Sequence, residues 1–175
     1  SDDFFADIEI ICLANNLLKK LIPNSNFTLH INTLGARENL SAYKKILSKF
    51  FNDNQKFLSK DSLDKINTNP LRILDSKNPE DSVLIKKSPK LIDLISKADL
   101  NNYEEIKKCL IGLGINIFED PNLVRGLDYY CHTVFEFKCN ELGSQDTLIG
   151  GGRYNGLIKT LGGRDLPGVG WAGGI

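Results

Sequence analysis

The stretches Thr133-Val-Phe-Glu-Phe-Lys138 and Asp146-Thr-Leu-Ile149 decide the predicted fold. Short runs rich in β-branched and aromatic residues and bounded by turn residues are typical of β-strands. A polar segment around Gly143 separates the two runs, so we predict two antiparallel strands joined by a turn. Further along the chain, we predict a short helix over residues 155–161 and the start of another strand over residues 168–175.

Upstream of these strands, the chain begins with a predicted helix and a predicted strand. Residues 3–21 carry apolar side chains at spacings of three, four and seven, which indicates an amphipathic helix, and Pro23 follows as a stop signal. Apolar and polar residues then alternate over residues 27–32, which is the period of a half-buried strand. His30 lies on the polar side of that alternation, and we interpret it as a surface or hydrogen-bonded histidine rather than a catalytic one.

Residues 37–114 show a helical pattern throughout. On the first predicted helix, Tyr43, Ile46 and Phe50 share one face. Asn-Pro and Ser-Pro pairs interrupt the pattern, because proline breaks helices. These breaks divide the following part into short predicted helices, around residues 54–66, 79–86 and 89–97.

The last helix of this block has two predicted ends. Asn101 followed by Glu104 resembles a capping box, and Gly114 is placed to end the helix in a left-handed turn. The Asn- and Lys-rich composition of residues 49–102 differs from that of its flanks, which indicates an inserted helical subdomain.

The order of helix, strand, helical block and antiparallel strands predicts an α+β fold rather than a doubly wound parallel sheet. We divide the chain into a catalytic-core helix and strand, an inserted helical subdomain, and the core antiparallel strands. These parts are residues 1–45, 46–114 and 115–175.

The charge composition points to no class of partner. The chain holds 22 basic and 22 acidic residues, so its net charge indicates neither nucleic-acid nor membrane binding. Residues 44–72 differ, with seven basic against three acidic residues. Two interpretations of this stretch stay open, a solvated helical face and a contact with a polyanion, and the first is the more common.

Cysteine usage argues against a metal site. No pair among the four cysteines has CxxC spacing and only two histidines are present, so we predict no zinc site. Cys12 and Cys109 lie in apolar helical contexts, where buried reduced thiols are expected, which favours a reducing compartment. We find no signal-peptide pattern and no apolar run near the ~20 residues that span a bilayer, so we expect a cytoplasmic protein without membrane contact.

The first cluster with possible chemistry is Leu123-Val-Arg-Gly-Leu-Asp-Tyr-Tyr130. Arg125 offers a planar set of donors suited to a carboxylate or a phosphate. Gly126 permits tight backbone geometry, and two adjacent tyrosines in extended backbone face opposite ways, so one can enter a pocket while the other packs behind it. The residues alone leave open that Arg125 simply pairs with Asp128 or Asp120.

The second cluster is Gly150-Gly-Gly-Arg-Tyr-Asn-Gly-Leu157. Three successive glycines at a strand end let a flat ligand or another backbone approach closely, and the helix that follows offers free amides to an anion. A glycine triplet alone is more often a bulge or a turn. The cluster matches neither the dinucleotide-binding pattern nor the P-loop.

Together, the clusters resemble the two signature motifs of the histidyl-tRNA synthetase family, which belongs to the class II aminoacyl-tRNA synthetases. The core of the resemblance is Arg125-Gly-Leu-Asp-Tyr-Tyr130, Thr133-Val-Phe-Glu-Phe137 and the glycine-rich cluster. Nearly the whole chain is covered, because four further segments also match. These segments are Asn32-Thr-Leu-Gly35, Thr68-Asn-Pro-Leu-Arg-Ile-Leu-Asp75, Lys77-Asn-Pro79 and Pro167-Gly-Val-Gly-Trp-Ala-Gly-Gly174.

The resemblance implies part of a class II synthetase antiparallel sheet with flanking helices and an inserted helical subdomain. It implies a histidine–tRNA ligase, which activates histidine with ATP to histidyl-adenylate and then transfers the histidyl group to tRNA(His). Mg²⁺ and a homodimer of the full-length enzyme come with the same resemblance. In this family, residues 44–72 would lie in the insertion that approaches tRNA.

The resemblance also implies roles for particular residues. Arg125 matches the family's arginine that contacts the histidine carboxylate and the α-phosphate, so it is the candidate catalytic residue. A tyrosine pair and a third tyrosine match the histidine pocket, and three glycines match the segment beneath the substrate. The implied substrate-binding residues are Arg125, Tyr129, Tyr130, Tyr154, Gly150, Gly151 and Gly152, with no metal ligand among them.

The chain departs from the family pattern at a few positions. The family often has Asp where Asn155 stands and Thr where Cys131 stands, and His132 has no implied role. The family's first and second class II motifs and the arginine of its third motif have no counterpart here. We therefore predict an internal fragment of the catalytic domain that neither activates histidine nor charges tRNA alone.

Two other interpretations share the implied fold. One is the histidine-binding regulatory subunit of ATP phosphoribosyltransferase, a non-catalytic synthetase paralogue, which usually lacks an intact Arg-Gly-Leu-Asp-Tyr-Tyr motif and the helical insertion. The other is a degenerate synthetase-like domain of a signalling protein. Arg125 and the tyrosine pair argue against the second.

Overall fold

The computed structural model describes residues 1–125, 129–139 and 146–174, so the predicted turn at Gly143 lies outside the described residues. The helices found there are α1 Phe5–Leu21, α2 Arg37–Asp53, α3 Lys60–Leu63, α4 Leu71–Leu74, α5 Pro79–Lys87, α6 Lys97–Gly112 and α7 Leu157–Thr160. The strands are β1 Thr28–Thr33, β2 Ile117–Glu119, β3 Cys131–Lys138, β4 Thr147–Arg153 and β5 Val169–Gly173.

The five strands form one sheet in the order β2-β1-β3-β4-β5. Strand β3 pairs antiparallel with β1 and β4, and β4 pairs antiparallel with β5, whereas β2 pairs parallel with β1. The predicted α+β fold is therefore confirmed, with a mixed rather than purely antiparallel sheet. Strand β2 escapes prediction because three residues are too few to show an alternation.

One face of the sheet packs against α1 and α6. Side chains alternate along a strand, so Leu29 and Ile31 on β1 and Phe135 and Phe137 on β3 all point to this face, where they are fully buried. Burial of each such side chain stabilises the fold by about 1.5–3 kcal/mol. The predicted apolar stripe of α1 faces the same core, except that Leu21 is exposed.

The helical block from α2 to α5 lies over the opposite face and shares an apolar cluster with Val134 of β3. Of the three residues predicted to share a face of α2, Tyr43 is buried, Phe50 is partly buried against the same cluster, and Ile46 at the edge of that face is 38% exposed. After Tyr43, the fully buried residues of α2 recur every four residues, which is close to the 3.6 residues of one helical turn. The buried residues of α2 are Leu40, Tyr43, Leu47 and Phe51.

Helix α6 begins earlier than predicted. Ser96 is its N-cap, because its hydroxyl oxygen accepts a hydrogen bond from the backbone N–H of Asp99 at 3.1 Å. The predicted capping box of Asn101 and Glu104 is therefore wrong, since both residues lie inside the helix. The predicted left-handed end is confirmed by Gly114, whose φ is 73°.

Two other predicted helices are shorter than expected. The segment around residues 54–66 consists of the 3₁₀ turn Gln55–Phe57 followed by α3. The helix predicted around residues 89–97 is wrong, because only the 3₁₀ turn Leu91–Asp93 forms there before α6 begins.

The division into residues 1–45, 46–114 and 115–175 stays a prediction. Helix α2 crosses its first boundary, and α6 packs with α1 on the sheet. Cys131 and Cys139 are buried free thiols, whereas Cys12 and Cys109 are only half-buried. Among the described residues, we find no helix with both the length and the apolar character that crossing a bilayer requires.

Candidate active site

Arg125 and Gly150 come together from the two sequence clusters. Arg125 lies in the segment before β3, and Gly150 lies within β4 rather than at a strand end. A Cβ atom built on Gly150 would lie 2.7 Å from Cζ of Arg125. The guanidinium therefore occupies the space that any other side chain at this position would need.

The Arg125 guanidinium is held by a carboxylate. Its Nη1 atom donates a hydrogen bond to Oε1 of Glu136 in an ion pair. Glu136 on β3 stands directly opposite Gly150 on β4, so both face the same side of the sheet. Asp120, one of the two carboxylates considered from the sequence, lies instead 3.5 Å from Nδ1 of His30, and the other, Asp128, lies outside the described residues, as does Gly126.

Three tyrosines form a cluster on this face of the sheet. The rings of Tyr129 and Tyr130 lie 4.6 Å apart between centroids. Tyr154 meets both rings edge-on, at centroid distances of 6.0 Å and 6.4 Å. Such edge-to-face contacts are favourable because the positive ring edge meets the negative ring face. The structure thus brings together all three tyrosines that the motifs single out.

Tyr154 is enclosed by the segment that leads into β5. Its backbone N–H donates to the carbonyl oxygen of Gly168 at 2.8 Å. A Cβ atom on Gly168 would lie 3.2 Å from Cζ of Tyr154, and one on Gly170 would lie 3.1 Å from its hydroxyl oxygen. The glycines of this segment therefore leave the space in which the phenol ring lies.

The three glycines of β4 do not share one face. Gly150 and Gly152 face the tyrosine side, where a Cβ atom on Gly152 would lie 3.0 Å from Cδ1 of Tyr130. Gly151 faces the opposite side, where a Cβ atom would lie 2.6 Å from Cβ of Trp171. Alternation along a paired strand requires this arrangement, so only two of the three glycines open space on the tyrosine side.

The Tyr130 hydroxyl stays protonated at neutral pH. Burial raises the pKa of Tyr130 to about 12, and the neighbouring Tyr129 hydroxyl adds to this effect, whereas the Arg125 guanidinium opposes it. A protonated phenol can donate one hydrogen bond and accept others, which suits a ring nitrogen of an imidazole.

The guanidinium can bind an anion next to the tyrosine cluster. The Nε atom of Arg125 is buried and has no hydrogen-bond acceptor among residues 1–125, 129–139 and 146–174. Unpartnered buried N–H groups are rare in folded proteins, and a guanidinium binds carboxylates and phosphates with two parallel hydrogen bonds. Arg125 is therefore a candidate for binding a carboxylate or a phosphate group.

A cavity of 420 Å³ adjoins Arg125 on the side of the helical block. Its volume is in the range of small-ligand pockets, and basic side chains outnumber acidic ones along its walls. Its charged lining residues are Lys65, Arg72, Lys77 and Arg125 against Asp61 and Asp75. The helical block therefore contributes positive charge beside the guanidinium.

Comparisons with known proteins identify the family. The family model described as histidyl-tRNA synthetase matches residues 1–175. The chain belongs to the histidyl-tRNA synthetase family. A histidine–tRNA ligase of Ehrlichia ruminantium (strain Gardel) is 45% identical over 175 residues, which are 100% of this chain and 42% of that protein. The crystal structure of apo S. aureus histidyl-tRNA synthetase matches with a TM-score of 0.73 and 32% identity, over 100% of this chain and 42% of that one.

A more distant structure from Bacillus halodurans is described as an ATP phosphoribosyltransferase regulatory subunit/histidyl-tRNA synthetase. It matches with a TM-score of 0.61 and 21% identity, over 98% of this chain and 48% of that one. At this identity the similarity shows the fold alone. The chain spans less than half the length of each of these three relatives, so the whole activity of a synthetase does not follow from family membership.

Glu136 is the site residue that the sequence did not single out. It lies inside Thr133-Val-Phe-Glu-Phe137, a segment that the family resemblance includes, but its partner Arg125 comes from a different part of the chain. The sequence does show a charged residue between two phenylalanines. If the phenylalanines are buried, the charged side chain lies on the other face of the strand and needs a partner there.

Proposed function

We propose that this protein, at its full natural length, is a histidine–tRNA ligase with Arg125 as a catalytic residue. The observation that carries the proposal is the Arg125 guanidinium, which lies against Gly150 beside three clustered tyrosines. One of its buried donors has no acceptor in the part of the chain that the structure describes. ATP and histidine are the proposed substrates of the first step, and tRNA(His) accepts the product of that step.

In the first step, a carboxylate oxygen of histidine attacks the α-phosphorus of ATP. A carboxyl oxygen–phosphorus bond forms, the bond from the α-phosphorus to the bridging oxygen of the β-phosphate breaks, and pyrophosphate leaves. Arg125 would bind the carboxylate before the attack and stabilise the negative charge that grows on the α-phosphate oxygens. The guanidinium already lies against Gly150 before the charge develops, so little reorganisation is needed.

The tyrosine cluster would provide the histidine pocket. Tyr129, Tyr130 and Tyr154 present ring faces and edges to a flat imidazole, and their hydroxyls can bond its two nitrogen atoms. Gly150 and Gly152 have no side chains of their own here, so the Arg125 guanidinium and the Tyr130 ring lie close to the backbone of β4, which Gly151 continues between them.

In the second step, a hydroxyl of the terminal ribose of tRNA(His) attacks the carbonyl carbon of the adenylate. The ester bond to the tRNA forms, the bond to the phosphate oxygen breaks, AMP leaves, and the hydroxyl proton is released. Residues 44–72, which carry a net positive charge, are a proposed contact for the RNA. A homodimer of the full-length enzyme is also a proposal from family resemblance.

Magnesium is implied by the resemblance alone. Within residues 1–125, 129–139 and 146–174, no three side chains of the metal-binding types come together. We therefore assign no magnesium ligand in this chain and place no step on the metal. Basic residues of the cavity beside Arg125, such as Lys65, support a contact with the ATP phosphates instead.

The proposal is tested by histidine-dependent exchange of pyrophosphate into ATP. We expect the protein at full natural length to catalyse this exchange and Arg125→Ala to lower kcat/KM by about 10²–10³-fold, because removal of one preorganised donor costs that much in comparable sites. Arg164→Ala is the matched control, since Arg164 is an exposed arginine and should give wild-type rates. A wild-type protein that binds histidine without any exchange would favour the regulatory-subunit interpretation over the enzyme.

A further inference from the structure

Glu136 is a charged group at the candidate site to which the proposed mechanism gives no step. We propose that Glu136 is a positioning residue, which holds the Arg125 guanidinium against Gly150 and so determines which of its nitrogen atoms face the anionic substrate group. This inference rests on the proposed function, which places the histidine carboxylate at Arg125.

The position of Glu136 is fixed by the sheet. Its neighbours Phe135 and Phe137 are fully buried on the opposite face, so a shift of β3 by one residue would place both rings in the wrong layer. Glu136 pairs with His30 on β1 and with Gly150 on β4, both of which are internal to the sheet. The carboxylate therefore emerges from a rigid central strand.

The carboxylate is also held at both of its oxygen atoms. Oε1 accepts the hydrogen bond of Arg125, and Oε2 accepts one from the Thr147 hydroxyl at 3.2 Å. The ammonium group of Lys138 lies 3.4 Å from the same Oε2. An anchor restrained in this way restricts the arginine, whose long side chain otherwise has many rotamers.

The ion pair accounts for one nitrogen atom of the guanidinium, and the Tyr130 hydroxyl is a second hydrogen-bonding neighbour of this group. Nη1 of Arg125 is directed to Glu136, whereas the buried Nε has no acceptor within the described part of the chain. The edge formed by Nε and Nη2 is the one that can bind a carboxylate with two parallel hydrogen bonds. Glu136 thus fixes the direction of Nη1 and, because the guanidinium is planar, the plane in which its other donors lie.

The negative charge of Glu136 has an opposing effect, because it weakens the attraction of Arg125 for another anion. Lys138 reduces this effect by offsetting part of the charge at Oε2. The side chain of Glu136 is only 13% exposed, so water screens the pair little. We therefore expect orientation to outweigh repulsion, so that loss of Glu136 weakens binding.

The experiment compares histidine with histidinol, which keeps the imidazole and the amino group but has an alcohol in place of the carboxylate. Calorimetric titration is made on wild-type protein at its full natural length and on Glu136→Gln. We expect the Kd for histidine to rise about tenfold in the variant and the Kd for histidinol to stay unchanged, because only histidine uses the oriented edge of Arg125. Glu105→Gln, at an exposed glutamate on α6, should match wild type for both compounds.

Two further variants separate positioning from a general structural effect. Thr147→Val removes one hydrogen bond to Oε2, so it should weaken histidine binding in the same direction by two- to threefold. In an Arg125→Lys background, Glu136→Gln should change histidine binding little, since the group that it positions is gone.

Four other outcomes would contradict either the positioning role of Glu136 or the proposed function. Equal weakening for histidine and histidinol would overturn the positioning role, because the whole pocket would then have changed. Tighter histidine binding by Glu136→Gln would show that the carboxylate mainly competes with the ligand, and would also overturn it. Unchanged histidine binding in that variant would do the same. A wild-type protein that binds neither compound would contradict the proposed function itself.

Discussion

Gly150 is the position at which the absence of a side chain matters most for Arg125. A Cβ atom there would lie 2.7 Å from Cζ and from Nη2 of Arg125, closer than any normal contact. These atoms are at the end of a flexible side chain, so in Gly150→Ala the guanidinium can move aside and the strand itself need not. We predict a free energy of unfolding within about 1 kcal/mol of wild type, because alanine is no worse than glycine in a strand.

Activity should respond very differently in Gly150→Ala. Displacement of the guanidinium by about 1 Å should lower histidine-dependent pyrophosphate exchange by about 10²-fold. The control is Gly112→Ala at the end of α6, where a Cβ atom would meet no other atom within 4 Å and activity should not change. Full activity in a folded Gly150→Ala protein would show that the contact with Arg125 has no part in the reaction.

At the residue scale, motifs predicted much of the candidate site, and the pairing of distant strands determined the rest. Arg125 and Gly150 each belong to a recognisable motif. The family resemblance implies that both motifs contribute to one substrate site, so their proximity was expected. Glu136 could not be assigned to Arg125 because that contact depends on the register of β3 on β4. For the same reason, the orientation of Gly151 towards Trp171 could not be read from the triplet alone.

His132 has a backbone conformation that the sequence does not indicate. Its φ is 49°, in the left-handed region that residues other than glycine rarely adopt. Its N–H donates to the carbonyl of Gly35 and its carbonyl accepts from the N–H of Leu34, both at 2.7 Å. The register of β3 on β4 shifts between Cys131 and Val134, as at a bulge. The conformation therefore follows from strand pairing.

At the element scale, the segment that contains α3, α4 and α5 depends on one buried carboxylate. Asp81 accepts hydrogen bonds from the Ser59 N–H at 2.7 Å and from the hydroxyls of Ser59, Ser62 and Ser76. Burial raises the pKa of Asp81, but these hydrogen bonds outweigh that effect and leave it lowered. Ionised Asp81 therefore stabilises the fold above its unfolded pKa of about 4, and this contribution is lost as the pH falls through the folded pKa.

We predict that Asp81→Asn lowers the free energy of unfolding at pH 7 by about 1–3 kcal/mol, because an amide nitrogen would face donors that need an acceptor. Between about pH 5 and pH 2, the wild type should lose stability more steeply than the variant, since the variant has no carboxylate to protonate there. Urea unfolding followed by circular dichroism at several pH values measures both quantities. Asp53→Asn, at the exposed end of α2, is the control and should keep the wild-type slope; the same slope in Asp81→Asn would contradict the assignment.

Contacts between elements were harder to predict than the elements themselves. The helix at residues 3–21 and the glycine-rich strand were both expected, but their connection through Arg153 was not. The buried Arg153 guanidinium pairs with the buried carboxylate of Asp7, and it donates to the carbonyl oxygens of Ser1 at 2.9 Å and Asp3 at 3.0 Å. Residues 146 positions apart give no local signal of such a pair. The glycine-rich motif thus contacts α1 on one face of the sheet and the tyrosines on the other.

At the scale of the whole molecule, the sheet separates two apolar cores. Helices α1 and α6 cover one face, and the helical block covers the face on which Arg125 and the tyrosines lie. The order of elements was predictable from hydrophobic periodicity, which is a local property. The cavity that the helical block lines beside Arg125 was not predictable, because it depends on packing between segments far apart in sequence.

The share of a full-length relative that residues 1–175 cover limits what they can do alone. The chain covers 42% of the Ehrlichia ruminantium relative. One oriented guanidinium can bind a carboxylate, but pyrophosphate exchange also requires ATP to be held in line with it. We predict that a purified polypeptide of residues 1–175 gives no histidine-dependent exchange above that of its own Arg125→Ala variant, whereas the protein at full natural length does. Circular dichroism establishes that the polypeptide is folded, and robust exchange by it would show that this sheet and its helical block suffice for histidine activation.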